Sequence, residues 1–188
     1  RGYTETLLED IKRGEFSSVP EFLGVIGRNV GRLMELISDL LDLSSLDAGA
    51  EMHPSWVPVK ESTERVLRAL EPMAKARGHR VQLDVASGAE QVWADPSRLD
   101  QVLTNLVGNA IKYVPMSAEA WIRVEWRLTP AGEVELWVRD NGPGIPKEHH
   151  DRLFERFYRV DKARSREQGG TGLGLSIVKH VLQVHGGK

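Results

Sequence analysis

Phe22, Val25, Ile26, Asn29, Leu33, Leu36, Ile37, Leu40 and Leu43 recur at helical spacing and form one apolar stripe about six turns long. Tyr3 to Lys12 read as the end of an earlier helix, broken at Arg13-Gly14-Glu15. Ser17 or Ser18 can cap the long helix, with Pro20 in its first turn, where a missing amide is harmless. No strand is expected before about residue 51. The short helix cannot bury so long a stripe, whereas a second copy of the hairpin would bury it as a four-helix bundle. The pattern therefore predicts a homodimer; the alternative is that the stripe packs on the rest of the chain.

Beyond this hairpin the periodicity changes. Ser44 to Pro54 read as a linker, dividing residues 1–51 from a mixed domain over 52–188. Trp56-Val57 can start a strand, and Val59 to Arg77 form a helix ended by Gly78. Arg80–Ala86 and Gln91–Ala94 read as strands. Asp95 followed by Pro96 is a strong helix start, and that helix runs to about Tyr113. Ala120–Leu128 and Glu133–Asp140 alternate as two strands joined by a turn at Pro130 to Gly132. A last helix spans about Leu175 to His185. The expected fold is α+β, a mixed sheet with helices on one face preceded by an α-helical hairpin.

Composition narrows the function. A net charge of −2 gives no sign of a sequence-independent nucleic-acid binder. The absence of cysteine excludes disulfides and thiolate metal sites and suits a reducing cytoplasm. No apolar run approaches the ~20 residues needed to span a bilayer, and no signal peptide is visible, so no membrane contact is expected from this segment.

Three separated motifs carry the chemistry: Asn105-x3-Asn109-x2-Lys112-Tyr113, Asp140-Asn141-Gly142-Pro143-Gly144 and Gly169-Gly170-Thr171-Gly172-Leu173-Gly174. On the helix from Asp95 to Tyr113, Leu99, Val102, Leu103, Leu106, Val107, Ala110 and Ile111 make the apolar side. Gln101, Asn105, Asn109 and Lys112 line the other. A solvated stripe normally holds Glu, Lys and Arg, and each mid-helix asparagine costs a few tenths of a kcal/mol, roughly. An asparagine oxygen suits Mg²⁺, and lysine can neutralise phosphate. Asp140 shares strand parity with Val134, Leu136 and Val138, so it is expected to point inward, where a carboxylate needs a donor such as the adenine amine. The alternative is a carboxylate that caps the turn at Asn141-Gly142. Gly142 and Gly144 would allow close backbone approach. Gly170, Thr171, Gly172, Leu173 and Gly174 open the last helix, where backbone amides attract phosphate. The spacing is not that of a P-loop, and no lysine follows it. A charged segment between Ile145 and Gly169, with Lys147, Glu148, Asp151, Arg152, Lys162, Arg164, Arg166 and Glu167, reads as a lid.

Taken together, in this order, the motifs resemble the ATP-binding domain of bacterial sensor histidine kinases, and the resemblance extends over nearly the whole chain. It implies Asn109 as Mg²⁺ ligand, Asn105 in support, Lys112 on phosphate, Tyr113 against the nucleotide and Asp140 on adenine. Phe154-Glu155-Arg156-Phe157-Tyr158-Arg159 is similar to the family's aromatic lid motif. There Phe154 and Phe157 would anchor the lid, with core packing as the alternative, and Arg159 would contact phosphate. Asn105, Lys112 and Arg159 are thus the candidate catalytic residues, with ATP and Mg²⁺ as substrate and cofactor. Further implications are a response-regulator receiver domain as partner and a cytoplasmic location, with the parent chain anchored in the bacterial inner membrane.

The resemblance also exposes departures. None of His53, His79, His149, His150, His180 and His185 has the family's His-Glu-Leu-Arg-Thr-Pro context. Arg1-Gly2-Tyr3 matches the stretch just after that motif, so the phosphoacceptor is expected about three helical turns upstream. The family usually continues past His185-Gly186-Gly187 into another strand, so the chain reads as a fragment. His149 and His150 read as lid surface rather than a metal pair, since adjacent positions face different ways. Two rival readings stand. An ATPase of the same fold would carry a glutamate at position 105 as the base for water, and Asn105 cannot take that proton. A nucleotide-sensing or dimerisation module without chemistry is the other.

Overall fold

The structure is a computed structural model, and it describes residues 2–14, 16–17, 19–49, 51–160 and 170–188. Helix α1 spans Gly2–Arg13 and α2 spans Val19–Asp47. They are followed by β1 (Ser55–Pro58), α3 (Val59–Ala76), β2 (Arg80–Val85), β3 (Gln91–Ala94), α4 (Pro96–Tyr113), β4 (Trp121–Leu128) and β5 (Val134–Asp140). A 3-10 turn covers Lys147–Arg152, and α5 spans Gly174–Val184. Ser18, an expected cap, lies outside the described residues, as do Gly169 and the lid charges Lys162, Arg164, Arg166 and Glu167. No helix among the described residues is long and apolar enough to cross a membrane.

The chain divides into two compact units, Arg1–Asp42 and Leu43–Lys188. In the first, Leu33, Ile37 and Leu40 of the stripe are exposed. In the second, α2 continues through the expected linker start at Ser44, because Leu43 and Leu46 extend the apolar spacing and are buried (2% and 4% exposed).

The second unit holds the mixed sheet. β2 pairs parallel with β4, and β4 pairs antiparallel with β5, with Val81 opposite Ile122 and Trp126 opposite Leu136. β1 and β3 form a separate antiparallel pair. Period-two patterning sends Ile122, Val124 and Trp126 to one face, where they pack with Val59 and Val66 of α3 and Leu103, Val107 and Ile111 of α4. The one indole N–H in this core is satisfied: Trp126 Nε1 donates to Thr63 Oγ1 at 2.9 Å, and that hydroxyl donates to the Val59 carbonyl at 2.6 Å. The outer face is polar. Glu125 there is only 7% exposed, and Arg123, Arg127 and Arg139 surround its carboxylate.

Candidate functional site

Helix α4 is the platform of the site, and its start is fixed by Asp95. The carboxylate Oδ1 accepts from the Ser97 amide (2.9 Å), the Ser97 hydroxyl (2.7 Å) and the Arg98 amide (3.2 Å), while Oδ2 accepts from the His53 amide (3.0 Å). Burial pushes this carboxyl up, but the hydrogen bonds from the Ser97 hydroxyl and the His53, Arg98 and Ser97 amides outweigh it and hold it at about 2. The Asp95 amide donates to His185 Nε2 at 3.0 Å, and His185 Nδ1 lies 2.8 Å from the Val181 carbonyl. Nδ1 therefore bears the proton, and a neutral His185 ties the end of α5 to the start of α4.

The sign of the Asp95 shift sets a pH dependence. A carboxyl held below its ordinary value of about 3.9 contributes stability that is complete above pH ~4 and is lost as the pH falls toward 2. Urea unfolding of the wild-type chain and of Asp95→Asn, from pH 6 to pH 2, should show roughly 2 kcal/mol of wild-type advantage disappearing in that window. A constant difference across it would rule out the charged cap.

The polar stripe of α4 meets the glycine segment. A Cβ added at Gly174 would lie 2.8 Å from Asn105 Oδ1. One at Gly170 would lie 2.9 Å from the Tyr113 hydroxyl and 3.8 Å from Lys112 Nζ. Asn105, Asn109 and Lys112 are half-buried, whereas Tyr113 is exposed. Gly174 is the first residue of α5, so the segment delivers backbone amides at a helix start, a setting that favours anions. Leu173 is fully buried beneath it, its amide donating to Thr171 Oγ1 at 3.2 Å.

The second motif joins the same end of α4. Asn141 Oδ1 accepts from the Trp121 amide at 2.8 Å, and its Nδ2 donates to the Glu119 carbonyl at 3.0 Å. A Cβ at Gly142 would stand 2.8 Å from Asp140 Oδ1 and 3.2 Å from Val114 Cγ2. Gly144 has a φ of +70° and open space around it. Asp140 keeps the parity of Val134, Leu136 and Val138 but is exposed, because it is the last residue of β5. The expectation of an inward carboxylate is corrected accordingly: Oδ1 accepts from the Gly142 amide at 2.8 Å, the turn-capping arrangement.

The backbone of Phe157 and Tyr158 lies against Gly172. The Phe157 amide donates to the Gly172 carbonyl at 2.8 Å, and Phe157 takes a left-handed φ of +64°. Phe154 and Phe157, read as anchors or core, are instead exposed. The segment is held by the backbone and by Arg156, whose Nη2 donates to both oxygens of Asp47 at 2.8 and 2.9 Å. That hydrogen bond, against some desolvation and with the charges of Arg156 and His180, holds the Asp47 carboxyl below the usual carboxylate range. Local patterning gives no signal for this pair, since its partners are far apart in sequence. Arg159 Nε and Nη2 are buried and, among the described residues, have no hydrogen-bond partner. His149 and His150 diverge as expected, to the Tyr158 hydroxyl (2.7 Å) and the Ile145 carbonyl (2.9 Å). A groove of about 250 Å³ beside Trp56, Pro58 and Arg65 includes none of the motif residues.

Asn105, Lys112 and Tyr113 thus converge on the glycine-lined start of α5, where an ammonium group and backbone amides suit a phosphate ester and an amide oxygen is of the kind a hard cation takes. The family described as histidine kinase-, DNA gyrase B- and HSP90-like ATPase matches residues 94–188. The chain belongs to that family. Among its relatives, the phosphate regulon sensor protein PhoR of Pseudomonas aeruginosa is 38% identical over 190 residues, covering 98% of this chain and 41% of PhoR. Sensor histidine kinase WalK of Bacillus subtilis is 35% identical over 191 residues, covering 100% of this chain and 30% of WalK. This family member therefore spans less than half the length of those curated relatives. Histidine kinase AdeS of Acinetobacter baumannii superposes with a TM-score of 0.72 at 27% identity, over 95% of this chain and 81% of AdeS. Full-length ShkA, solved in complex with AMPPNP, gives a TM-score of 0.72 at 28% identity over 92% of this chain and 34% of ShkA. The α+β fold, with its mixed sheet and helices, is that of histidine kinase catalytic domains.

Proposed function

We propose that this chain is the ATP-binding catalytic part of a two-component sensor histidine kinase. It directs the γ-phosphoryl group of Mg·ATP to a histidine on a dimerisation hairpin, for relay to an aspartate on a response-regulator receiver domain. Residues 1–51 belong to that hairpin and residues 52–188 to the ATP-binding domain. What carries the reading is the convergence of Asn105, Lys112 and Tyr113 on the glycines of 170–174. The exposed stripe of α2 supports a homodimer. The parent chain would be anchored in the inner membrane, with this segment on its cytoplasmic side.

Bound Mg²⁺ would supply charge neutralisation between phosphate oxygens. Asn109 would hold it by its amide oxygen, the hard donor such a cation takes. Lys112 and Arg159 would draw charge from the phosphates, and the amides of Gly170, Thr171, Gly172, Leu173 and Gly174 would cradle them. Asp140, with Oδ1 fixed by Gly142, would accept from the adenine amine through Oδ2, Tyr113 would lie against the nucleotide, and Gly142 and Gly144 would let it approach. Hydrolysis by the same fold is the second reading. Asn105 argues against it, because an amide offers water no base.

The test is phosphotransfer. This chain is mixed with labelled ATP, Mg²⁺ and a separate hairpin polypeptide bearing the His-Glu-Leu-Arg-Thr-Pro segment. Acid-labile, alkali-stable label should appear on the hairpin and fall at least 100-fold in Asn109→Ala. Free phosphate without labelled protein would establish the ATPase instead, and ATP binding without either product a non-enzymatic module.

A further inference from the structure

The carboxyl end of α4 is where the first two motifs meet, and it is held from outside the nucleotide motifs. A helix leaves its last carbonyls without partners in its own backbone. Here Pro115 prevents the chain from continuing as helix, and the Val114 amide folds back onto the Ala110 carbonyl at 3.0 Å. Arg77, the residue that ends α3, reaches across. Its Nη2 donates to the Lys112 carbonyl at 3.1 Å and to the Val114 carbonyl at 3.3 Å. His79, 7% exposed, places Nε2 3.2 Å from the Pro115 carbonyl. Gly78 between them has a φ of +71°, and a Cβ there would lie 3.5 Å from the Ser117 carbonyl oxygen. Arg77-Gly78-His79 thus forms a clamp over residues 112–117. A guanidinium at this position also complements the negative end of the α4 dipole.

The clamped residues are those that lie against the two glycine motifs. Lys112 Nζ and the Tyr113 hydroxyl stand over Gly170, and Val114 stands against Gly142, the residue that fixes Asp140. We propose that Arg77 is a positioning residue for nucleotide: it sets the last turn of α4 so that Lys112 and Tyr113 address the phosphate segment while Val114 seats the Asp140–Gly142 turn. The proposal rests on the ATP-binding reading. Arg77 itself touches the backbone only, so its effect reaches the nucleotide through Lys112 and Tyr113.

The test uses this whole chain with Arg77→Met, which keeps an apolar stem and removes the donors, and Arg77→Lys, which restores a cation within reach of the same carbonyls. Three quantities are read on each folded protein: affinity for ATP with Mg²⁺, affinity for adenosine, and amide hydrogen exchange. Arg77→Met should bind ATP about tenfold more weakly and adenosine less than twofold more weakly, since Lys112 acts on phosphate. Arg77→Lys should come back to within about threefold of wild type for ATP, and it serves as the test protein if Arg77→Met does not fold. Exchange should quicken at Ile111–Val114 and stay unchanged at Leu99–Leu103, a pattern that general loosening would not give. Unchanged ATP affinity overturns the proposal. So does an equal loss of ATP and adenosine accompanied by faster exchange along all of α4. If the unsubstituted chain does not bind ATP, the nucleotide reading fails, and the exchange measurement alone then decides whether Arg77 holds the turn.

Discussion

Replacing Arg159 by methionine is expected to move two measurements in opposite directions. ATP affinity should fall by about 100-fold, because a charge-assisted contact to phosphate is lost. Stability of the nucleotide-free protein should rise by about 1 kcal/mol. The second effect comes from burial: Nε and Nη2 of Arg159 are out of water, and methionine keeps the apolar stem while removing the cost of desolvating them. Sites that bind ligand tightly are often held at such a cost. Urea unfolding without nucleotide and calorimetric titration with Mg·ATP give the two values on one preparation. If Arg159→Met is destabilised to the same extent that its affinity falls, the side chain is structural and its role toward phosphate is wrong.

A second large effect is expected at Gly172. Its φ is +74°, and an added Cβ would meet backbone, 2.9 Å from Phe157 C and 3.1 Å from the Tyr158 carbonyl oxygen. Backbone atoms cannot swing aside as a flexible side chain can. Gly172→Ala should therefore cost about 2–3 kcal/mol, the left-handed penalty of roughly 1 kcal/mol plus displacement of residues 157–158. Gly144 isolates the two contributions. Its φ is +70°, yet nothing lies within 4 Å of the added carbon, so Gly144→Ala should cost only about 1 kcal/mol. Equal urea midpoints for the two variants would refute the packing of Phe157 on the glycine segment.

The residues that sequence reasoning placed well are those whose structure is decided locally. Asp95-Pro96 caps and opens α4 within four residues, and the alternation of Ile122, Val124 and Trp126 declares its own buried face. Where the outcome depends on what lies across the fold, local patterning was insufficient. The Ser44-Ser45 pair reads as a linker until Leu43 and Leu46 find a core to enter. Asp140 has the parity of buried residues, but parity does not say where the strand's cover stops. Phe154 and Phe157 look like core by composition and are exposed, while the contacts that hold their segment, Arg156 to Asp47 and Phe157 to Gly172, join residues far apart in sequence. Arg77 looked only like the end of a helix, because its carbonyl partners on α4 are 35 and 37 residues away.

Because β4 lies parallel to β2, with β3 and α4 threaded between them, the sheet cannot be laid down strand by strand as a meander would be. The whole crossover, including the helix that bears Asn105, Asn109 and Lys112, must be looped out and recaptured before the central pairing can close. Closing such non-local contacts is slow relative to helix formation. Closure of the sheet and assembly of the proposed site are therefore coupled, and recovery of nucleotide binding on refolding from urea should track that slow closure.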